Sequence, residues 1–175
     1  MPEPSDFSPD LQLTVTAPAS SHQAVNVVIL LHGLGDSNKS FTNLGRQLSL
    51  PETACISLQA PTPLPFEIGG FHWGDDIVIA QTTGQIDFDT GFQKASMTLT
   101  EEAIRKGLVE RCGYRPREIL LFGSGQGGMA ALAASVAMAE ELRGVILVGG
   151  LLPATRSTAS AGTGKSKTPG LQKLL

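Results

Sequence analysis

Apolar and polar residues alternate along residues 11–17, which is the pattern of an edge strand with one face in solvent. Residues 26–33 form a continuous apolar run of β-branched residues and leucine, typical of a strand buried on both faces of a mainly parallel sheet. Similar runs recur at residues 54–61, 118–123 and 144–150. The pattern therefore predicts four buried strands and one edge strand.

Three further segments, residues 41–49, 92–112 and 126–142, carry helical patterns. Gly113 follows the second segment, where a glycine commonly caps a helix C-terminus. The apolar residues that share one face of this segment are Leu99, Ala103, Ile104, Leu108 and Val109. Because strands and helices alternate, they predict βαβ units with right-handed crossovers and a three-layer αβα fold.

The longest excursion between predicted elements covers residues 61–91 and holds several prolines and the single tryptophan. Long ordered loops in compact domains tend to cover binding sites, so Phe71, His72 and Trp73 are candidates for a pocket wall. A packing loop without a ligand is the alternative. Residues 155–175 are rich in Ser, Thr, Gly and Lys, so we expect a globular unit over residues 1–154 and a flexible tail after it.

Composition and charge narrow the classes of function. The chain has 175 residues, 41% of them hydrophobic and 17% charged, which suits one globular domain. A net charge of -3 without a basic cluster does not predict nucleic-acid binding. No run approaches the roughly 20 apolar residues of a membrane span, and the N-terminus lacks signal-peptide features. Cys55 and Cys112 are too few to staple the fold, which favours free thiols and a cytoplasmic location.

Residues 123–128 read Gly-Ser-Gly-Gln-Gly-Gly, between a predicted strand and a predicted helix. They satisfy the G-x-G-x-x-G pattern, in which a helix N-terminus and close-packed glycines hold a dinucleotide pyrophosphate. That fold also requires an acidic residue about 20 positions later, at the end of the next strand. Here the next strand ends in Leu147, Val148, Gly149 and Gly150, so dinucleotide binding is the less favoured alternative.

The same glycines also fit the nucleophile elbow, G-x-S-x-G, in which small residues flank a reactive serine. Gly123 and Gly127 occupy the two flanking positions, while Gly125 stands where the serine belongs. Ser124 is one residue out of register, which would place Phe122 and Gln126 where the turn requires small residues. Ser124 is therefore a weak substitute nucleophile.

Two separated motifs carry a specific resemblance. LLHGLGDS, residues 30–37, and the later GSGQGGMAA resemble the LHGLGDS and GFSQGG patterns of the phospholipase/carboxylesterase family of α/β-hydrolases, which includes the acyl-protein thioesterases. The resemblance extends in order through residues 11–153. It implies an α/β-hydrolase fold and hydrolysis of acyl esters, thioesters or acylated proteins through an acyl-serine, without a metal or cofactor.

The resemblance also implies roles for individual residues. The backbone N–H groups of Leu34 and Gln126 map to the oxyanion hole, which stabilises negative charge on a tetrahedral intermediate. His32 maps to the oxyanion loop, where it packs against the loop and does not act as the catalytic base. The remaining motif positions are Gly33, Gly35, Asp36, Gly123, Gly127 and Gly128.

The chain departs from the family pattern in two ways. Gly125 replaces the nucleophile, and the sequence after it contains no histidine and only two acids, Glu140 and Glu141. We therefore expect a hydrolase fold whose C-terminal part is missing and a chain that is catalytically inactive. Binding of an acyl chain or acyl-protein without catalysis is the alternative function, and an exposed edge at residues 145–148 suggests self-association.

Overall fold

The structure is a computed structural model and describes residues 1–20, 23–65, 67–79, 82–87 and 89–153. The strands are β1 (Leu13–Thr16), β2 (Asn26–Leu31), β3 (Thr53–Leu58), β4 (Thr62–Pro63), β5 (Phe71–His72), β6 (Val78–Ile79), β7 (Ile86–Asp87), β8 (Ile119–Ser124) and β9 (Gly144–Val148). The α-helices are α1 (Asn38–Leu48), α2 (Gln93–Met97) and α3 (Gln126–Ala137). A π-helical segment, Thr98–Arg111, continues α2, and short 3-10 turns lie at Pro4–Asp6 and Pro116–Glu118.

The main sheet has five strands in the order β1-β3-β2-β8-β9. β1 runs antiparallel to β3, and the other three pairings are parallel. The central strands β2, β3 and β8 are the continuous apolar runs, because each is covered by a neighbour on both edges and by helices on its faces. The mainly parallel sheet and the edge position of β1 were predicted from the sequence and are confirmed, while the antiparallel direction of β1 is a finding of the structure.

Helices cover both faces of the sheet. On one face α1 packs with Gly45 against Cys55 and Leu30, and the ring of Phe41 lies 6.2 Å from that of Phe122. The other face carries α2, the π-helical segment and α3, and it holds the main hydrophobic core. The largest fully buried side chains of that core are Trp73, Ile29, Leu31, Ile56, Leu58, Leu99, Ile104, Leu108, Ile119 and Leu121. This arrangement is the predicted three-layer αβα fold.

The helix predicted over residues 92–112 is present, but most of it is π-helical. Its final turn closes when the N–H of Cys112 donates to the carbonyl oxygen of Gly107, five residues earlier. Four of the five predicted core residues are buried, whereas Val109 is half-buried. Gly107 is buried instead, because the ring of Phe7 lies where its side chain would be, 2.5 Å from a Cβ built there.

Two predicted elements differ from the structure. α3 ends at Ala137, whereas the pattern predicted a helix to residue 142. β9 was predicted to be buried on both faces, but it is the outer strand of the described sheet, with Ile146 46% and Val148 53% exposed. The predicted tail, residues 155–175, lies outside the described residues. No helix in the described part of the chain is long and apolar enough to span a membrane.

The excursion over residues 61–91 folds back on the turn after β2. β4 pairs with β5, and β6 pairs with β7, both antiparallel. Phe71 of β5 accepts the N–H of Gly35 at 3.0 Å and donates its own N–H to the carbonyl oxygen of Asp36 at 3.1 Å. The carboxylate of Asp75 accepts the N–H groups of Gln93 and Lys94, both at 2.8 Å, and so caps α2. The middle of the excursion, residues 71–75, is therefore anchored both to the turn after β2 and to the start of α2.

Candidate functional site

A sharp strand-to-helix turn lies between β8 and α3. Gly125 has φ 51° and ψ -118°, a backbone conformation that L-residues rarely adopt. Its N–H donates to the carbonyl oxygen of Val148 at 2.9 Å, which extends the pairing with β9 by one residue. α3 begins at the following residue, Gln126. A strained residue between a strand and a helix is what the predicted nucleophile elbow requires, and here that residue is glycine.

The three glycines of this elbow serve different purposes. A Cβ built on Gly123 would overlap the backbone of Gly127, and one built on Gly127 would overlap the carbonyl oxygens of Leu31 and His32. These two positions exclude a side chain because backbone segments meet there. A Cβ built on Gly125 has no described atom within 4 Å. Position 125, the predicted nucleophile position, therefore has open space where a side chain would project.

The candidate oxyanion donors lie on the two segments that meet at the elbow. Leu34 follows β2 in a turn, and its N–H has no hydrogen-bond acceptor among the described residues. Gln126 is the first residue of α3, so its N–H has no partner within the helix. The segments adjoin, since a Cβ built on Gly33 would lie 3.7 Å from the carbonyl oxygen of Ser124. Both amides therefore remain candidate donors to a ligand oxygen.

Asp36 of the HGLGD motif organises the start of α1. Its carboxylate accepts the N–H of Ser37 at 2.7 Å and the hydroxyl of Ser40 at 2.6 Å. Gly35, at φ 77°, makes the turn that precedes it. The motif therefore places the Leu34 amide between the end of β2 and a helix start that Asp36 holds.

His32 is fully buried, and both of its ring nitrogens are hydrogen-bonded. Nε2 accepts the N–H of Ala60 at 3.0 Å, so Nδ1 carries the proton and donates it to the carbonyl oxygen of Gly33 at 2.8 Å. Burial lowers the pKa of His32, and the Gly33 carbonyl and Asp36 only partly oppose that shift. The ring is therefore neutral and has no free nitrogen with which to take a proton from a ligand.

Trp73 connects this histidine with the elbow. Its indole N–H donates to the carbonyl oxygen of His32 at 2.8 Å, and its backbone N–H donates to Oε1 of Gln126 at 2.8 Å. The rings of His32 and Trp73 lie 5.4 Å apart at 46°. Trp73 is completely buried, so it is part of a packed polar network and does not line a pocket.

His72 is also buried, but neither of its ring nitrogens has a hydrogen-bond partner among the described residues. Burial lowers the pKa of His72, Asp76 raises it, and Lys94 lowers it further. Of the three residues predicted to form a pocket wall, only Phe71 lines a described cavity, a space of about 80 Å³ beside Pro61. Tertiary contacts bury both His72 and Trp73, and their place in a pocket wall stays a prediction.

Ser124 does not occupy the nucleophile position. Side chains alternate along β8, so Ser124 shares a sheet face with Leu120 and Phe122. That face carries α1, as the contact between Phe122 and Phe41 shows, and α3 packs on the opposite face. A groove of about 570 Å³ lies near Asn26 at the other end of the strands and includes none of the predicted site residues.

Comparison with known protein families matches residues 12–173 to the phospholipase/carboxylesterase family of the α/β-hydrolases. This chain belongs to that family. A hydrolase from Schizosaccharomyces pombe, itself uncharacterised, is 39% identical to it over 134 residues, which is 73% of this chain and 54% of that protein. The family member described here therefore spans about half the length of this relative.

Solved structures of carboxylesterases share the fold of this phospholipase/carboxylesterase family member. Esterase PE8 is 29% identical and superposes with a TM-score of 0.66 over 82% of this chain and 66% of its own. The acyl-protein thioesterase 2 of Zea mays is 20% identical, with a TM-score of 0.54 over 83% of this chain. The latter similarity shows the shared fold.

Sequence reasoning found the Gln126 amide but missed its side chain. Gln126 is 7% exposed and binds the backbone of Trp73, 53 positions earlier in the chain. One feature of the sequence could have indicated this contact: Gln126 is a long polar residue at the start of an otherwise apolar helix. Gln59 was also missed: its Oε1 accepts the N–H of Asn38 at 2.9 Å, at the start of α1.

Proposed function

We propose that this family member binds, at the elbow, the acyl carbonyl group of an ester, thioester or acylated protein, or the carboxylate group of a fatty acid, without forming an acyl-serine. Gly125 is the observation that carries this proposal. It has the strained backbone of the elbow and open space around it, yet no side-chain atom that could form a covalent bond. The catalytic step needs that atom, whereas binding of the oxygen does not.

The binding half of the site depends on backbone groups. The N–H groups of Leu34 and Gln126 donate to a ligand oxygen, and the positive end of the α3 dipole favours negative charge there. The nearest carboxylate in the motif, Asp36, is engaged by Ser37 and Ser40. His32 is neutral and adds no charge. This arrangement supports binding of an oxygen that carries partial or full negative charge.

The position of Ser124 supports a non-covalent mode. Its side chain projects from the α1 face of the sheet, whereas the two candidate donors lie at the end of β2 and the start of α3. A hydroxyl on that face projects from the side of the sheet opposite to α3, which favours a non-covalent mode. Covalent attack by Ser124 is therefore not part of the proposal.

Two measurements test the proposal together. Intact-mass analysis after incubation with a fluorophosphonate probe should show no adduct, and calorimetric titration with dodecanoate should show binding. Saturating ligand should raise the melting temperature, since about 100 times the Kd adds about 2.7 kcal/mol of stability. An adduct at Ser124 contradicts the non-covalent mode, and the absence of any shift at saturation contradicts acyl binding.

NAD is the matched negative ligand, because it tests the dinucleotide interpretation of the same glycines. We expect no change in the melting temperature and no quenching of Trp73 fluorescence at millimolar NAD. A saturable change would favour the dinucleotide interpretation over acyl binding.

A cytoplasmic location and self-association through β9 belong to this proposal. Cys55 and Cys112 are free thiols, which supports a reducing compartment. In an antiparallel pairing of β9 with a second copy, the exposed Ile146 side chains would meet and Gly144 would lie opposite Val148. Sedimentation velocity should then show a dimer that Ile146→Lys dissociates, and a monomer over the whole concentration range would contradict self-association.

A further inference from the structure

Gln126 acts on the candidate site with two different groups. Its backbone N–H is one of the two donors proposed to bind the ligand oxygen. Its side chain turns back into the protein, is almost completely buried, and accepts the N–H of Trp73 at 2.8 Å. Among the described side chains of α3, it is the only one that hydrogen-bonds the excursion over residues 61–91.

Trp73, in turn, hydrogen-bonds the predicted oxyanion turn, residues 32–36. Its indole N–H binds the carbonyl oxygen of His32, which lies two residues before Leu34. Two positions before Trp73, Phe71 exchanges backbone hydrogen bonds with Gly35 and Asp36, directly after Leu34. The segment Phe71–Trp73 therefore holds the turn on both sides of the Leu34 amide.

We propose that the Gln126 side chain is a positioning residue: by binding Trp73, it sets the geometry between the Leu34 amide and its own amide. The two donors come from segments separated by more than 90 positions in the sequence. A pair of donors binds one oxygen well only when both are held at hydrogen-bonding distance from it. The chain of contacts through Trp73 supplies that constraint.

The chemistry of glutamine suits this position. An amide oxygen accepts the Trp73 N–H without carrying charge, whereas a carboxylate would accept it and also repel an anionic ligand at the adjacent amides. Methionine has a similar length and no strong acceptor. Gln126→Met therefore removes the hydrogen bond, and Gln126→Glu keeps the hydrogen bond while adding a negative charge.

Amide hydrogen exchange tests the positioning directly. In Gln126→Met, the amides of Trp73 and Gly35 should exchange about tenfold faster, while the amide of Leu30 in β2 should be unchanged. The control Gln93→Met changes an exposed glutamine at the start of α2 and should alter none of them. A folded Gln126→Met protein whose Trp73 and Gly35 amides exchange within twofold of wild type overturns the proposal.

Gln126→Glu provides the second test. If Gln126→Met does not fold, this variant decides whether Gln126 is a positioning residue. We expect protection of Trp73 to remain within twofold of wild type, because the acceptor is kept. Loss of that protection overturns the proposal. Dodecanoate should bind this variant about tenfold more weakly, whereas dodecan-1-ol, which carries no charge, should bind with unchanged affinity.

The ligand readout rests on the proposed function, and the exchange readout does not. If wild-type protein fails to bind dodecanoate, acyl binding is wrong, but the exchange rates of Trp73 and Gly35 still decide whether Gln126 positions the turn. If wild type binds and Gln126→Met binds equally well with unchanged exchange rates, acyl binding stands and the positioning role is wrong.

Discussion

Gly127 at the start of α3 packs so closely on the end of β2 that a Cβ on it would overlap the carbonyl oxygen of His32. The same oxygen accepts the indole N–H of Trp73. The end of β2 is thus held by α3 from one direction and by the excursion from another. The elbow depends on this close approach, which only glycine permits.

The same substitution, glycine to alanine, should have very different effects at positions 125 and 127. Gly127→Ala should destabilise the fold by about 3 kcal/mol or more, since two backbone segments must separate. Gly125→Ala should cost about 1–2 kcal/mol, because it meets no atom and only adopts an unfavourable φ. Urea unfolding of both variants measures this difference, and equal losses would show that strain at the elbow outweighs packing.

The two buried histidines should make the protein sensitive to mild acid. The folded-state pKa values of His32 and His72 lie below the usual 6.5, so the unfolded chain binds more protons below that pH. The free energy of unfolding should be highest above about pH 6.5. It should decrease as the pH drops toward the folded-state pKa values of the two histidines. Each histidine contributes a slope of at most about 1.4 kcal/mol per pH unit. Urea unfolding between pH 7.5 and pH 5.5 measures the slope.

Leucine substitutions distinguish the roles of these histidines. His72→Leu loses no hydrogen bond, so near pH 7.5 it should change stability little or increase it, and it should reduce the acid sensitivity. His32→Leu leaves the N–H of Ala60 and the carbonyl oxygen of Gly33 without their partner, and should cost about 1–3 kcal/mol at every pH. A large loss in His72→Leu at pH 7.5 would reveal a partner for His72 that the structure does not show.

Trp73→Phe should lower the free energy of unfolding by about 2–4 kcal/mol. The change removes the hydrogen bond to the His32 carbonyl and leaves a space in a fully buried position. Because Trp73 is the single tryptophan, far-ultraviolet circular dichroism should follow the unfolding. A loss below about 1 kcal/mol would show that water or a rearranged side chain replaces the indole N–H.

Cys112 should react slowly with alkylating reagents. Burial raises the pKa of its thiol to about 11, and the Asp6 carboxylate contributes through a hydrogen bond and its charge. At about pH 8 the thiolate fraction is small, so iodoacetamide should modify Cys112 roughly 10-fold to 100-fold more slowly in folded than in urea-unfolded protein. Peptide mass spectrometry gives the rate. Asp6→Asn should accelerate it, and an unchanged rate would show that burial alone controls this thiol.

The central sheet could be predicted because its signal is local. β2, β3 and β8 are continuous apolar runs, and their ends lie within about three residues of the predicted boundaries. The end of α3 and the π-helical hydrogen bonds of Thr98–Arg111 could not be predicted. The choice between a hydrogen-bond partner four or five residues earlier depends on packing against the sheet, which involves residues distant in the sequence.

The candidate site also combines features that have a local sequence signal with features that depend on packing. Motif spacing identified the elbow, Gly125 and the two candidate amides, because close backbone approaches leave glycines in the sequence. It did not identify the buried states of His72 and Trp73, which were expected in a pocket wall. Those states depend on contacts between residues as far apart as Trp73 and Gln126.

By itself, the sequence determined the order of the main strands and helices and the family. Each of these has a signal that is local in the sequence, either apolar periodicity or glycines at fixed spacing. Only the tertiary structure decided that the elbow keeps its strained backbone without a side chain, and that Gln126 holds Trp73 against the oxyanion turn. The reason is physical: hydrogen bonds between distant segments and the space around Gly125 exist only after the chain has packed.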